Sequence, residues 1–243
     1  MSVIYEPRGR AREYAALAAN LYAGCEHGCV YCYAPSAVRR ARDDFHGAVK
    51  PRKNILAGLE KDAERLAGSK DRVLLSFTTD PYQPIEEELG ITREAIKILR
   101  KHGLHVEILT KGGTRAARDF DLLMPGDAFA TTLTFLDEDM SREWEPNAAL
   151  PGDRIKAIKQ AHGMGIATWA SLEPVIDPEQ SLEIIRQTHS YVDRFKVGTL
   201  NHHPLSKTID WSSFGYEARE LLEELGKDYY IKDDLRAYMQ CSA

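Results

Sequence analysis

Three cysteines lie within eight residues near the start of the chain, in the spacing Cys-x3-Cys-x2-Cys: Cys25, Cys29 and Cys32. Thiolates are soft ligands that suit zinc or iron–sulfur clusters. Three of them can hold three corners of a [4Fe–4S] cube, and the fourth iron then stays open to a small molecule. A structural zinc ion normally takes a fourth protein ligand from paired Cys/His spacings, for which His27 and the distant Cys241 are the candidates. The spacing favours the cluster.

The setting of these cysteines favours metal over disulfides. A secreted disulfide framework would spread its cysteines along the chain, whereas three of the four here are clustered. No secretory segment opens the sequence, and no apolar run reaches membrane-spanning length. We therefore expect a cytoplasmic protein without a membrane partner. Its 243 residues predict a single domain over 1–243, with a cluster loop at 24–34 and a C-terminal tail from about residue 227 to 243.

Charge is distributed unevenly along the chain. The net charge is −5, yet residues 1–53 contain nine Lys/Arg and five Asp/Glu, a local net of +4, so that the remainder carries −9. A basic lip beside a site would attract phosphate or another anion. The alternative is a solvated face with scattered charges.

Short apolar runs alternate with amphipathic stretches. The predicted strands are Ala18–Ala23, Val73–Phe77, Val106–Leu109, Ala128–Thr134, Ile166–Leu172 and Arg194–Val197. The predicted helices are Ile55–Leu66, Thr92–His102, Thr114–Leu123, Asp153–His162, Pro178–Thr188 and Ser212–Leu225. This alternation predicts an α/β fold with a parallel sheet, in the form of a full or partial (β/α)6 TIM-like barrel, with an open doubly wound sheet as the alternative.

Polar residues follow five successive predicted strands. They are Thr79 and Asp80, Lys111, Thr132 and Thr134, Glu173, and the run Asn201, His202 and His203. The carboxyl ends of parallel strands form the active face of β/α barrels and open α/β sheets. The series therefore predicts one site at that face, next to the cysteine loop.

The cysteine motif also carries an aromatic residue, Tyr31, directly before Cys32. The pattern Cys-x3-Cys-x-aromatic-Cys resembles the signature of the radical S-adenosylmethionine (SAM) superfamily. The resemblance implies a barrel of the radical SAM type, with a [4Fe–4S] cluster and SAM as cofactors. It also implies a 5′-deoxyadenosyl radical that removes hydrogen from the substrate, and an electron donor such as flavodoxin or ferredoxin.

A narrower resemblance rests on four further segments. Residues 24–33, the run Thr79-Asp80-Pro81-Tyr82-Gln83-Pro84-Ile85-Glu86, the turn Thr110-Lys111-Gly112 and Ser171-Leu172-Glu173-Pro174 are similar to the spore photoproduct lyase-like group, often labelled DNA repair photolyase. This implies a nucleic acid base as a possible substrate. The sequence departs from the group at residues 75–80, where a hydrogen-donating cysteine is absent. Cys241 is the one spare thiol, a possible donor or an exposed tail residue.

The resemblance also implies roles for the strand-end residues. Tyr31 would lie near the adenine of SAM, Thr79 and Asp80 near its amino group, and Lys111 near its carboxylate. Thr132, Thr134 and Glu173 would meet the ribose, the carboxylate or the substrate. Substrate contacts are expected from Tyr82, Asn201, His202 and His203, and a substrate rim from Arg8, Arg10 and Arg12. These residues also have purely structural alternatives. Tyr31, Thr132 and Thr134 could serve packing alone, and Asp80 could form an Asx turn. Lys111 could be solvated, Glu173 could form an ion pair under a loop, and His202 and His203 could be an exposed loop pair.

Three functions compete on this basis. The first is a radical SAM enzyme acting on a DNA or RNA base, as a repair lyase or a modification enzyme, with a wide positive groove. The second keeps the chemistry but acts on a small metabolite or a peptide in a closed pocket. The third is a non-catalytic, zinc-binding α/β module.

Overall fold

A mostly parallel sheet forms the centre of the computed structural model, which describes residues 2–240. The strands are β1 (Ile4–Tyr5), β2 (Leu17–Ala19), β3 (Tyr22–Ala23), β4 (Lys50–Pro51), β5 (Val73–Leu75), β6 (Val106–Thr110), β7 (Ala128–Thr132), β8 (Ala167–Leu172), β9 (Arg194–Val197) and β10 (Asp228–Ile231). Eight of them pair in the order β1-β2-β5-β6-β7-β8-β9-β10. β1 is antiparallel to β2, and the other neighbours are parallel. β3 and β4 form a separate antiparallel ribbon.

Helices connect the strands. They are α1 (Ala34–Ala37), α2 (Arg42–Gly47), α3 (Ile55–Arg65), α4 (Glu86–Leu89), α5 (Ile91–Lys101), α6 (Glu138–Trp144), α7 (Pro151–Gly163), α8 (Pro178–Thr188), α9 (Trp211–Glu224) and α10 (Asp233–Gln240). Among residues 2–240, the segments Gly9–Glu13, Gly113–Leu122 and Pro204–Lys207 form 3₁₀ helices. Within residues 2–240, none of the helices combines the length and the apolar character needed to cross a bilayer.

The core explains why these segments are strands. Val73, Leu74 and Leu75 of β5 are all fully buried, as is expected of a strand covered on both faces. The crossover helices then place every parallel strand in the same direction. The carboxyl ends of β2 and of β5–β10 therefore meet along one edge of the sheet.

The predicted α/β fold of TIM-like β/α units is confirmed, with corrections to single elements. The first predicted strand, Ala18–Ala23, is two strands separated at Asn20, because the Asn20 side chain accepts backbone hydrogen bonds from Phe77 and Thr78 at 2.9 Å each. The predicted strand Ala128–Thr134 ends at Thr132. The predicted α-helix Thr114–Leu123 is the 3₁₀ helix Gly113–Leu122. β10 and α10 lie in the predicted tail, and β10 adds a parallel strand beside β9.

Candidate active site

A cavity of about 450 Å³ opens at the carboxyl ends of the parallel strands. The loop between β3 and α1 forms one wall and brings Cys25, Cys29 and Cys32 to this cavity. Cys25 and Cys29 are buried, and Cys32 is partly exposed. The volume falls within the range of small-molecule and cofactor sites. The fold therefore places the three thiols at the edge of the sheet where α/β proteins bind ligands.

The start of the loop requires glycine. Gly24 has φ +103°, and a Cβ atom there would lie 2.5 Å from the carbonyl oxygen of Phe45. That same carbonyl accepts a hydrogen bond from the backbone N–H of Cys25 at 3.2 Å. The loop is therefore fastened to α2 at its first cysteine, at a distance that excludes a side chain on residue 24.

We expect Gly24→Ala to lower the free energy of unfolding of the apo-protein by more than about 1 kcal/mol, because alanine is strained at positive φ and clashes with the Phe45 carbonyl. Gly47→Ala is the matched control, since a Cβ atom on Gly47 meets no heavy atom within 4 Å. Urea unfolding of both variants measures the difference. Equal stability of the two variants would contradict this account of the loop.

The donor set fits a cluster. Burial raises the pKa of the Cys25 thiol, and burial raises the pKa of the Cys29 thiol to about 12, so both stay protonated until a metal displaces the proton. Across residues 2–240, no three Cys, His, Asp or Glu side chains converge on a single ion position. A four-iron cluster needs no such convergence, because each thiolate binds a different iron.

Three hydroxyl groups line the same cavity as the thiols. Ser76, Thr78 and Thr79 follow β5 and line the cavity. Their buried hydroxyl oxygens have no hydrogen-bond partner among the described residues. Buried polar atoms are nearly always paired in native proteins, so three unpaired hydroxyls in one cavity indicate a bound polar ligand.

Asp80 lines the same cavity but is engaged by the protein. Its carboxylate accepts hydrogen bonds from the Thr110 hydroxyl at 2.6 Å and from the backbone N–H groups of Lys111 at 2.7 Å and Tyr82 at 2.8 Å. The bond from Tyr82 is the Asx turn that the sequence offered as an alternative role. Asp80 therefore fixes the turn that carries Lys111.

Lys111, Tyr31 and Thr132 lie together at the cluster end of the cavity. The Lys111 ammonium nitrogen lies 5.6 Å from the centre of the Tyr31 ring and 4.0 Å from a carboxylate oxygen of Glu145. The Tyr31 hydroxyl donates to the same carboxylate. Thr134 was predicted to point with Thr132, but it lies beyond the end of β7 and donates to Glu145 at 3.0 Å.

Glu173 lies at the other end of the cavity. One of its carboxylate oxygens, Oε2, accepts hydrogen bonds from the Tyr14 hydroxyl and from the Lys232 ammonium. Burial, and then the neighbouring Glu173 charge, raise the pKa of the Tyr14 hydroxyl, so it remains a donor. Glu173 thus forms an ion pair with Lys232, as the structural alternative predicted. Its other partner, Tyr14, comes from the opposite end of the chain.

The predicted substrate residues separate into two groups. Asn201 and His202 line the cavity, where Asn201 accepts from Arg10 at 2.5 Å and donates to Asp234 at 2.9 Å. His203 packs instead against Trp144, with ring centres 5.1 Å apart. Tyr82 is fully buried in the core, and its hydroxyl donates to Asp119 at 3.1 Å, so the structure corrects the expectation that it contacts substrate. Cys241 lies outside the described residues.

Sequence reasoning missed three residues of this site: Tyr14, Glu145 and Lys232. Lys232 directly follows β10 and lines the cavity, like the polar residues that follow the other parallel strands. The run Tyr229-Tyr230-Ile231 before it was the available signal for this strand. Tyr14 follows a short 3₁₀ helix, and Glu145 lies in a charged stretch typical of an exposed helix end. Neither position has a sequence signal of its own.

Lys196 lies beneath Tyr14 and gives the fold a pH dependence. Its ammonium donates to the Tyr14 carbonyl at 2.8 Å and lies 4.3 Å from the centre of a Trp169 ring. Burial lowers the pKa of Lys196 from 10.5 to about 8. Between these values the unfolded chain binds more protons than the folded one, so this residue makes the free energy of unfolding rise with pH.

We therefore expect the stability of the wild type relative to Lys196→Met to increase by about 1–2 kcal/mol between pH 8 and pH 10. Urea unfolding of both apo-proteins across that range measures the difference. The other titratable residues are the same in both proteins. Taking the difference in free energy of unfolding at each pH therefore isolates the contribution of Lys196. A difference that stays constant or shrinks with rising pH would contradict the lowered pKa.

Relatives at the sequence level are distant but extensive. An uncharacterized protein of Methanocaldococcus jannaschii is 28% identical over 185 residues, which is 75% of this chain and 69% of that protein. An uncharacterized protein of Mycobacterium bovis is 28% identical over 166 residues, or 65% of this chain. That match spans about half of the mycobacterial protein, 48% of its length.

Solved structures share the fold. A spore photoproduct lyase mutant with bound AdoMet and dinucleoside spore photoproduct matches with a TM-score of 0.69 and 14% identity, over 93% of this chain and 78% of that one. Streptococcus suis SuiB bound to S-adenosylmethionine matches with a TM-score of 0.61 and 15% identity, over 87% of this chain and 48% of that one. At these identities the likeness concerns the fold.

The family model of the Radical SAM superfamily matches residues 19–192, more than half of the chain. The matched range begins in β2 and includes the cysteine loop and the strand-end residues up to Glu173. The resemblance predicted from the cysteine motif is thereby confirmed: the chain belongs to the radical SAM superfamily.

Proposed function

We propose that the chain is an enzyme that reductively cleaves SAM at a [4Fe–4S] cluster held by Cys25, Cys29 and Cys32, and then abstracts hydrogen from a nucleic acid base. Membership of the radical SAM superfamily supports an enzyme. The observation that carries the proposal is the shared cavity, which is lined both by the three thiols and by the hydroxyls of residues 76, 78 and 79, which have no hydrogen-bond partner among the described residues. An electron donor such as flavodoxin or ferredoxin is the expected redox partner.

When bound, the cluster supplies the electron that splits SAM into methionine and a 5′-deoxyadenosyl radical. Three thiolates would hold it at the cysteine loop. The Lys111 ammonium would attract the SAM carboxylate, and the Thr78 and Thr79 hydroxyl oxygens would accept hydrogen bonds from its amino group. The ring of Tyr31 would pack near the adenine.

Glu173 is suited to bind a hydroxyl or N–H donor. Tyr14 and Lys232 both contact Oε2, and within residues 2–240 no hydrogen bond occupies Oε1. The carboxylate is therefore fixed in orientation, with one oxygen available. We assign that oxygen to the SAM ribose or to an N–H edge of the substrate.

The far rim of the cavity supports a nucleic acid substrate. Arg8 and Arg10 line it beside Asn201 and His202, so two guanidinium groups flank a polar wall. Guanidinium groups bind phosphate oxygens, and the amide of Asn201, which accepts from Arg10 and donates to Asp234, holds Arg10 at this rim. The structurally similar spore photoproduct lyase carries a dinucleoside. We infer a base that enters from a longer strand whose phosphates lie on the rim.

A small metabolite or a peptide is the second candidate substrate. The cavity volume of about 450 Å³ favours it, because that volume would enclose a small molecule without a polymer attached. Arg8 and Arg10 at the rim distinguish the two proposals. They would bind the phosphates of a nucleic acid, whereas a small uncharged metabolite has no group that pairs with a guanidinium.

The hydrogen donor to the product is a separate question. Ser76 directly follows β5, in the stretch where a donor cysteine would be expected from the group resemblance. Cys241 is the remaining thiol of the chain and stays a candidate donor. We therefore propose base chemistry of this group without committing to reversal of a thymine dimer.

The substrate proposal is tested by substrate-stimulated cleavage of SAM. The reconstituted protein receives dithionite and SAM with ultraviolet-irradiated DNA, unirradiated DNA, RNA, or a metabolite and peptide mixture, and 5′-deoxyadenosine is followed by chromatography. We expect a nucleic acid to stimulate turnover, and Arg8→Ala/Arg10→Ala to lose that stimulation while keeping the uncoupled reaction. Stimulation by metabolites or peptides alone would favour the second candidate.

A further inference from the structure

A buried carboxylate, Glu145, connects the cluster loop to the turn that carries Lys111. Its side chain has no exposed surface, and it forms an ion pair at 2.5 Å with Arg154, whose side chain is 1% exposed. The Tyr31 hydroxyl donates to its Oε1 atom, and the Thr134 hydroxyl donates to the same atom at 3.0 Å. The Lys111 ammonium lies 4.0 Å from that oxygen.

The backbone around Glu145 runs along the outside of the cluster loop. The Trp144 carbonyl accepts from the Val30 N–H at 2.8 Å, and the Asn147 N–H donates to the His27 carbonyl at 3.2 Å. The Asn147 side chain also donates to the Glu26 carbonyl at 2.9 Å. These bonds hold the peptide units on both sides of Cys29. Residues 144–147 therefore clamp the loop, and within this clamp the Glu145 side chain contacts Tyr31 and Lys111, which line the cavity.

The same segment is tied to the Lys111 turn. The Ala149 N–H donates to the Lys111 carbonyl at 3.0 Å, and Arg154 donates to the Ala149 carbonyl at 2.6 Å. The Glu145 side chain itself contacts the cluster loop at the Tyr31 hydroxyl and lies 4.0 Å from the Lys111 ammonium, so a rotation of this side chain would release both contacts together. The two walls of the SAM end of the cavity share one buried anchor.

Glu145, Arg154 and Lys111 together carry a net charge of about +1 when all three are ionised. Glu145 is one anion facing two cations, Arg154 and Lys111. The Arg154 and Lys111 charges lower the pKa of the Glu145 carboxyl against the effect of burial, so it stays ionised. One positive charge at Lys111 then remains to attract an anion entering the cavity. Without the carboxylate, two cations would lie in a buried site and repel each other.

We propose that Glu145 is a positioning residue, which fixes the Tyr31 ring and the Lys111 ammonium in the orientation that receives SAM. The inference rests on the proposed function for the identity of the ligand. It goes beyond that function because it assigns the orientation of both groups to a carboxylate 34 residues away from Lys111 in sequence. Glu145 acts through these neighbours and touches no reacting atom.

The test variant is Glu145→Gln/Arg154→Met, which removes both buried charges together and so avoids an unpaired ion in the core. The matched control is Arg93→Met/Asp119→Asn, which removes an ion pair of 2.9 Å between α5 and the 3₁₀ helix Gly113–Leu122, neither residue of which lines the cavity. Lys111→Met is the comparison for loss of the ammonium itself. Urea unfolding first establishes that all variants fold.

The first readout uses the apo-protein and needs no cofactor. We expect iodoacetamide to alkylate Cys29 about five- to tenfold faster in the test variant than in the wild type, because the released loop opens more often. The control pair should react at the wild-type rate. Equal Cys29 alkylation in the wild type, the test variant and the control would overturn the clamp, whatever the outcome for SAM.

The second readout is SAM affinity of the reconstituted proteins, measured from the change that SAM produces in the electron paramagnetic resonance spectrum. We expect iron content close to wild type and SAM binding about tenfold weaker in the test variant, with little further weakening when Lys111→Met is added. If the test variant bound SAM as tightly as the wild type, Glu145 would be only a member of a core ion pair and not a positioning residue. A wild type that makes no 5′-deoxyadenosine would refute the proposed function, whereas the alkylation result would stand.

Discussion

Replacing Cys29 with alanine is expected to abolish both cluster assembly and SAM cleavage. Cys29 is the middle one of the three loop cysteines to which we assign the cluster, and it is buried and lines the cavity. Without its thiolate, one iron loses its protein ligand, and the remaining cysteines are separated by six residues of loop. We expect iron to fall from about four per chain to below about one, and 5′-deoxyadenosine to fall at least about a hundredfold.

The matched control for this prediction is Cys241→Ala. Cys241 is the one cysteine outside the motif, so its removal should leave iron content and the brown colour unchanged. Iron analysis and visible absorption of the two anaerobically reconstituted variants give the answer. A Cys29→Ala protein that retains a full iron complement would contradict the assignment of the loop as the cluster site.

Arg154→Ala is expected to lower the free energy of unfolding by about 3–5 kcal/mol, because the buried Glu145 carboxylate loses its nearest counter-ion and keeps only the Lys111 ammonium, 4.0 Å away. The guanidinium is 1% exposed and lies 2.5 Å from that carboxylate. It also donates to the carbonyls of Ala149 at 2.6 Å and Thr132 at 3.2 Å, which hold α7 against the sheet. Denaturant unfolding of the apo-protein measures the loss.

A surface arginine provides the control. Arg142 pairs with Glu138 and Asp139 on α6, and its side chain is 53% exposed, so Arg142→Ala should change stability by less than about 0.5 kcal/mol. Adding Glu145→Gln to Arg154→Ala should recover part of the loss, since the unpaired charge disappears. If Arg154→Ala were as mild as Arg142→Ala, the buried pair would not anchor the site as described.

Local sequence patterns indicated that the cysteine loop and the strand ends lie at one cavity. The cysteine spacing alone indicated the loop, because its ligands lie close together in sequence. The apolar run Val73–Phe77 correctly predicted a buried strand, although β5 ends at Leu75, and the common strand direction brought Thr79, Lys111, Thr132 and Glu173 to one cavity. These predictions succeeded because each depends on a short segment and on the common direction of parallel strands.

The residues that orient this site depended on contacts distant in sequence. From its sequence, Glu145 is predicted to lie in an exposed, charged helix end. In the structure it is buried, because Arg154 on α7 and Tyr31 in the cluster loop both contact its carboxylate. Lys232 needs β10, a four-residue strand that is stabilised by pairing with β9. Tyr82 lies in a motif similar to that of the spore photoproduct lyase-like group, yet its ring fills the core beneath the cavity. A motif indicates that a segment belongs to the site, but not which way each side chain points.

The most direct test of the central claim is production of 5′-deoxyadenosine by the anaerobically reconstituted protein, supplied with dithionite and SAM and followed by chromatography. The account predicts a brown protein that forms 5′-deoxyadenosine in the wild type and none above background in Cys29→Ala. A colourless protein that binds zinc and forms no 5′-deoxyadenosine would contradict it, and would favour the zinc-binding α/β module instead.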